Sequence, residues 1–164
     1  QYVDLGLSVK WATMNIGATS PEDYGNYYAW RETSPKTSYS SSNDYYSNNP
    51  SILPLNKDAA NVNWGGDWRM PTKEEQDELR AKCTWTWTTI NGVYGYRVKS
   101  KVNDNSIFIP LAGYNGGSSS NNGGWYWTST YKSSSQAYVL SIGSSIKVST
   151  DDRYYGNSIR AVLP

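Results

Sequence analysis

The aromatic side chains of this sequence are almost all Tyr and Trp, 15 and 8 of them against a single Phe. Each presents a large, stiff contact surface with a polar tip. Hydrophobic residues make up only 37% of the chain, so many of these rings must serve as core. The others stand among runs of Ser, Asn and Gly, most densely after Gly113. Aromatic anchors set in adaptable, hydroxyl-rich backbone are the mixture that antibody-like paratopes use. His is absent, which removes the commonest general base near neutral pH and the commonest metal ligand. The balance favours binding over catalysis.

The 164 residues fit one domain with a real core. The formal net charge is +1, with no basic or acidic block, which argues against nucleic acid as a partner. Cys83 stands alone, so no internal disulfide is possible and no zinc pattern exists. No apolar run is long enough to span a membrane. The chain reads as a mature form or as a domain of a longer protein.

Residues 3–11 alternate, with Val3, Leu5, Leu7, Val9 and Trp11 on one side, and predict a half-buried strand. Ser20-Pro21-Glu22-Asp23 predicts a helix start and a short helix to about Tyr28, weakened by Gly25. Residues 33–57 read as a long polar surface loop without a binding role. Asp58-Ala59-Ala60 begins a turn of helix. The clearest helix spans 71–80, where Thr72 and Glu75 form a capping box and the apolar face is thin. From Thr84 onward the pattern is strand: Trp85 and Trp87 on one face as core, a hairpin at Asn91-Gly92, a turn at 103–105, and a flexible loop over 116–124. Further strands follow at 125–130, 137–142, 146–149 and 158–163. The order predicts an α+β fold with helices segregated from the sheets.

Three segments carry a family resemblance. They are Tyr2-Val3-Asp4-Leu5-Gly6-Leu7-Ser8-Val9-Lys10-Trp11-Ala12; Trp64-Gly65-Gly66-Asp67-Trp68-Arg69-Met70-Pro71-Thr72 with Glu74, Glu75 and Leu79; and Trp125-Tyr126-Trp127-Thr128-Ser129-Thr130 with Gly156-Asn157-Ser158-Ile159-Arg160-Ala161-Val162. In this order they resemble the Fibrobacter succinogenes major paralogous domain, a family common in gut Bacteroidetes surface proteins and similar to the C-type lectin fold. The resemblance implies two helices flanking short antiparallel sheets, with the N- and C-terminal strands paired. It implies an extracellular or cell-surface location, or a phage fibre. Arg31 stands where the family pattern has Gly, and Ala161 where it has Pro. The calcium-dependent sugar motifs of animal lectins and the paired cysteines of the enzyme branch are absent, so no cofactor carries over.

The same fold holds the variable proteins of diversity-generating retroelements, whose diversity lies in the C-terminal part. By that analogy Tyr131, Lys132, Ser141, Lys147, Ser149, Asp151, Asp152, Tyr154, Tyr155 and Asn157, interleaved among frame residues, form the expected ligand surface. Trp125, read on the face opposite Trp127, joins them. Tyr154 and Tyr155 are adjacent, so at least one faces solvent. Asp151-Asp152 is more simply a solvated turn than a calcium site. The acids at 74–78 suit the positive end of a helix rather than catalysis, and Arg160 reads as a buried structural partner. The expected partner is a protein or glycan on a cell surface. The alternatives are an assembly domain of a fimbria or fibre and, with no convergent carboxylate pair to support it, a carbohydrate-active or modifying enzyme.

Overall fold

The structure, a computed structural model, describes residues 1–40, 51–117 and 122–164. The fold is α+β. Three three-stranded antiparallel sheets carry two short helices among the described residues. Parts of the expected loops, 41–50 and 118–121, lie outside the described residues. No helix among the described residues is long and apolar enough to cross a membrane.

The first sheet joins the two ends of the chain in the order β1 (Tyr2–Val3), β2 (Lys10–Ala12), β9 (Val162–Leu163). The single strand expected over 3–11 is therefore two strands folded back on each other, with Val3 opposite Trp11. The cause is local. The Asp4 carboxylate accepts the Gly6 N–H at 2.8 Å, and Gly6 turns the chain with φ +72°. Alternation still sorts burial, since Leu5, Val9 and Trp11 are buried while Asp4, Gly6 and Ser8 are exposed. The two ends of the chain pair as expected, through the second half of the 3–11 stretch: β2, and not β1, takes β9, with Trp11 opposite Val162.

The helix expected over 20–28 does not form. The Asp23 carboxylate accepts the N–H groups of Thr19 and Gly25 at 3.1 and 3.3 Å, and the Asp23 N–H donates to the Ser20 carbonyl at 3.2 Å. Ser-Pro-Glu-Asp serves a side-chain-stabilised turn as well as a helix start. Gly25, at φ +70°, sits against the Ile16 carbonyl with no room for a Cβ.

The two helices that form have caps written in the sequence. Asp58 caps α1 (Ala59–Trp64), accepting from the Ala60 and Asn61 N–H groups, and its other oxygen takes the Met70 N–H at 2.8 Å. Thr72 and Glu75 close the capping box of α2 (Lys73–Ala81). Arg69 grips the same Glu75 carboxylate with both terminal nitrogens at 2.8 Å. The buried face of α2 is only Gln76 and Leu79. Gln76 donates to the Tyr126 carbonyl at 3.3 Å, which fastens the helix to the third sheet.

The second sheet is the hairpin β3 (Cys83–Ile90) and β4 (Val93–Ser100), followed by β5 (Ser106–Pro110). Asn91 and Gly92 both have positive φ, 49° and 80°, as a two-residue turn of this sequence requires. The third sheet is β6 (Gly124–Tyr131), β7 (Gln136–Ile142) and β8 (Ile146–Asp152). The strand expected over 158–163 shrinks to Val162–Leu163, and Ser158 meets Tyr126 in an isolated parallel bridge.

One buried cluster packs Tyr126, Leu140 and Ile142 of the third sheet against Leu5, Trp11, Leu79, Val98 and Ile109. A second packs Trp127, Ala137 and Val139 against Trp30, Met70 and Ala12. The middle of the third sheet is thus covered on both faces. Between the clusters lies Arg160, fully buried as the sequence suggested. It donates to the Asn15 side-chain oxygen and the Phe108 carbonyl at 2.8 Å each and to the Ala12 carbonyl at 3.3 Å. Burial lowers its guanidinium to about 10. Arg31 has φ +77°, a left-handed backbone that favours glycine.

Candidate functional site

In the third sheet Trp125 stands opposite Ser141, and Ser141 opposite Lys147. One pleat along, Val139 faces Ser149, and Ala137 faces Asp151. Side chains two residues apart share a face. Trp125, Ser141, Lys147, Ser149 and Asp151 therefore lie on one side of one sheet. Trp125 is not opposite Trp127, as expected from sequence. The two share a face, and Trp125 is half-exposed because it lies nearer the end of the strand, where the second cluster thins.

Above this face the 154–157 turn and the 114–117 loop close together. The N–H groups and oxygens of Asn115 and Gly156 bond in both directions: Asn115 N–H to the Gly156 carbonyl and Gly156 N–H to the Asn115 side-chain oxygen, both at 2.7 Å. Behind Gly156 lies the Tyr39 ring, close enough that a Cβ there would be 2.7 Å from it. Tyr39 is itself anchored, its hydroxyl donating to the Tyr27 carbonyl at 2.7 Å. This clamp sets three rings around one opening. Tyr114 meets Trp125 edge to face at 5.1 Å, and Tyr155 in the same manner at 5.8 Å. With Asp151 they line a cleft of about 300 Å³. Tyr154 stacks on Tyr155 at 4.8 Å and supports it from behind. The Tyr154 hydroxyl, by hydrogen bond and charge, pushes the Tyr155 phenol up to about 12. Burial raises Asp151 above the usual carboxylate range, against the Asn157 amide and the Asp152 N–H, which favour its ionised form.

Other expected residues fall elsewhere. Asn157 is fully buried. Its backbone pairs with Tyr28 in both directions and its amide holds Asp151 at 2.9 Å, so it positions the cleft wall instead of presenting a side chain to solvent. Asp152 points to the other face of β8, toward Gln136 at 3.3 Å, so the two adjacent acids do not converge. Tyr131 ends β6, about 20 Å from Trp125 at the rise of a strand, and Lys132 follows it. Tyr131 packs on the second cluster, and Lys132 sits over the Tyr138 ring at 5.9 Å. Tyr114 was not among the expected residues. Its one sequence signal is an aromatic residue opening an Asn-Gly-Gly stretch, the same texture as the C-terminal third.

Cys83 and three of the four acids on α2 are occupied by structure. Cys83 is buried, and burial pushes its thiol up to about 11. On α2, Glu75 is held by Arg69, Asp77 by Lys73 and Arg80, and Glu78 by the Ser8 hydroxyl and N–H. Among the described residues no three His, Cys, Asp or Glu side chains gather as a metal site would need. The arrangement offers ring faces, ring edges and one half-buried carboxylate in an open cleft, which is chemistry for contact with a ligand. No family model, no curated protein and no solved structure matches the chain.

Proposed function

We propose that this chain is a non-enzymatic receptor- or ligand-binding module with a C-type-lectin-like fold, displayed on a cell surface or a phage fibre. One observation carries the reading: Tyr114, Trp125 and Tyr155 form an edge-to-face cluster around an open cleft, fixed by a sheet that is packed on both faces. Rigid aromatic anchors lose little conformational entropy on binding and dominate interface energetics. The polar surround is Ser141, Ser149 and Lys147, with Asp151 inside the cleft. The resemblance to variable proteins adds that the exposed members of this set differ between isolates while frame residues such as Arg160 and Trp127 do not. Uniform residues at the exposed positions across isolates would count against that addition.

The test is a screen of the domain against a glycan array and cell-surface extracts, beside Trp125→Ala and Tyr155→Ala. A specific partner whose affinity falls at least tenfold in both variants is the expected result. A partner retained by both variants sinks this site. Concentration-dependent self-association with no partner points instead to an assembly domain of a fimbria or fibre.

A further inference from the structure

The core face of the β3–β4 hairpin runs past the end of the core. Trp85 packs on the first cluster, but Trp87 and Tyr94 are 49% and 56% exposed, although Trp87 was expected to be core. Their rings lie 5.5 Å apart, and Trp87 meets Tyr96 edge to face at 5.4 Å. An exposed aromatic array of this kind, held in fixed geometry, is unusual on a surface without a partner. The Tyr96 hydroxyl donates to the Gly143 carbonyl, which ties the hairpin to the turn between β7 and β8.

That tie places the array beside the cleft. Trp87, Tyr94 and Tyr96 border a hollow of about 390 Å³ that also touches Asn122, Gly143 and Ser144. Those last three border the next hollow, of about 220 Å³, which ends at Trp125. Trp125 in turn borders the cleft of Tyr114 and Tyr155. Glycine keeps the passage open: a Cβ at Gly123 would lie 2.9 Å from the Trp125 ring, and one at Gly143 would lie 3.0 Å from the Asn122 carbonyl.

We propose that these hollows form one groove that binds an extended, uncharged oligosaccharide chain, with Trp87 and Tyr94 as a second aromatic subsite beyond the cleft. This rests on the binding function proposed above and names its ligand class. The lining decides the class. Ring faces stand at both ends, hydroxyls and an amide between them, and the charges among the described lining residues are one Lys147 and one Asp151. A sugar ring offers the same two chemistries, a C–H face for an aromatic ring and a hydroxyl edge for Ser and Asn. A charged polymer would call for more countercharge. A stable protein interface would call for about 1,200 Å² or more around an apolar centre, not narrow hollows in a row.

Calorimetry with a disaccharide and a hexasaccharide from each of three neutral series (β-1,4-glucan, β-1,4-xylan and α-1,6-mannan) tests it. At least one hexasaccharide should bind about tenfold or more tightly than its disaccharide. Trp87→Ala should erase that gain, and Trp125→Ala should weaken the disaccharide and the hexasaccharide alike. Tyr94→Ser, at a more exposed position, repeats the test should Trp87→Ala disturb the hairpin. Equal affinity for short and long chains, no binding in any series, or a gain that survives both hairpin variants overturns the proposal. A protein captured from surface extracts that depends on Trp125 but is indifferent to Trp87 overturns the groove and leaves the binding function standing. Loss of both dependences defeats the two together.

Discussion

Tyr126 and Trp127 follow Trp125 on the same strand, yet the chain uses them in opposite ways. The Tyr126 hydroxyl donates to the Pro110 carbonyl at 2.6 Å and accepts from the Asn15 amide at 3.2 Å. The Trp127 indole donates to the Tyr28 carbonyl at 2.7 Å, and Trp30 does the same to Thr128 at 2.8 Å. Inside, the polar tips are spent on backbone carbonyls, so each ring stitches two segments together. At the cleft the Tyr114 ring meets Trp125 and Tyr155 edge to face, and the three rings line a hollow. The same residue types therefore do both jobs. What separates them is whether a neighbouring backbone takes the polar tip, and that is decided by tertiary packing.

The strongest way to break the contrast is at the centre of the buried network. Arg160→Met keeps the stem but strands the Asn15 oxygen and the Ala12 and Phe108 carbonyls, each buried and each worth about 1–3 kcal/mol when left unpaired. Urea unfolding should show a loss of about 3 kcal/mol or more. A loss below about 1 kcal/mol would mean that the network is incidental. Tyr126→Phe removes one hydroxyl from the same network and should cost about 1–2 kcal/mol without changing affinity for a ligand. Tyr155→Ala should do the reverse. Its stability change should stay within about 0.5 kcal/mol, as for a surface substitution, while affinity falls; a large stability loss would make Tyr155 a structural residue.

Much of this division was legible in the sequence, for reasons that can be named. Capping signals are local, so Asp58, Thr72 and Glu75 mark both helices correctly. The Asn91-Gly92 turn demands positive φ at two residues, and few other dipeptides tolerate it. Where a local signal has two readings, the sequence misleads. Ser20 to Asp23 serves a turn as readily as a helix, and alternation over 3–11 sorts burial correctly while Gly6 folds the strand in two. The faces of Trp85 and Trp87 agree, but only the tertiary structure says where the core ends, and alternation alone places Trp87 inside it. Tyr114 reaches the cleft through the pairing of Asn115 with Gly156, 41 residues apart, and nothing local announces that. The left-handed backbone at Arg31 is the opposite case, since a departure from the expected Gly marks the strained position. Arg31→Gly should stabilise by about 0.5–1 kcal/mol in chemical denaturation, and no gain would show that the contacts of Arg31 offset the strain.

The smallest effect probes how dry the cleft is. Burial raises Asp151 above the ordinary carboxylate range despite the hydrogen bonds that favour its ionised form. The unfolded chain releases this proton at the ordinary value and the folded chain at a higher one. Between the two the folded protein holds more protons, so its stability falls as pH rises through that window. Above the folded value the penalty is complete, and below the unfolded value it is gone. Asp151→Asn does not titrate. The difference in urea midpoint between wild type and Asp151→Asn should therefore shift in favour of the wild type as pH is lowered from about 7 to about 3. The Arg160 network titrates far above this window, with its guanidinium at about 10 and its Tyr126 partner at about 12, so it contributes nothing to the slope. Parallel curves for the two proteins would mean that water reaches the carboxylate freely and that partial burial in the cleft wall leaves its charge undisturbed.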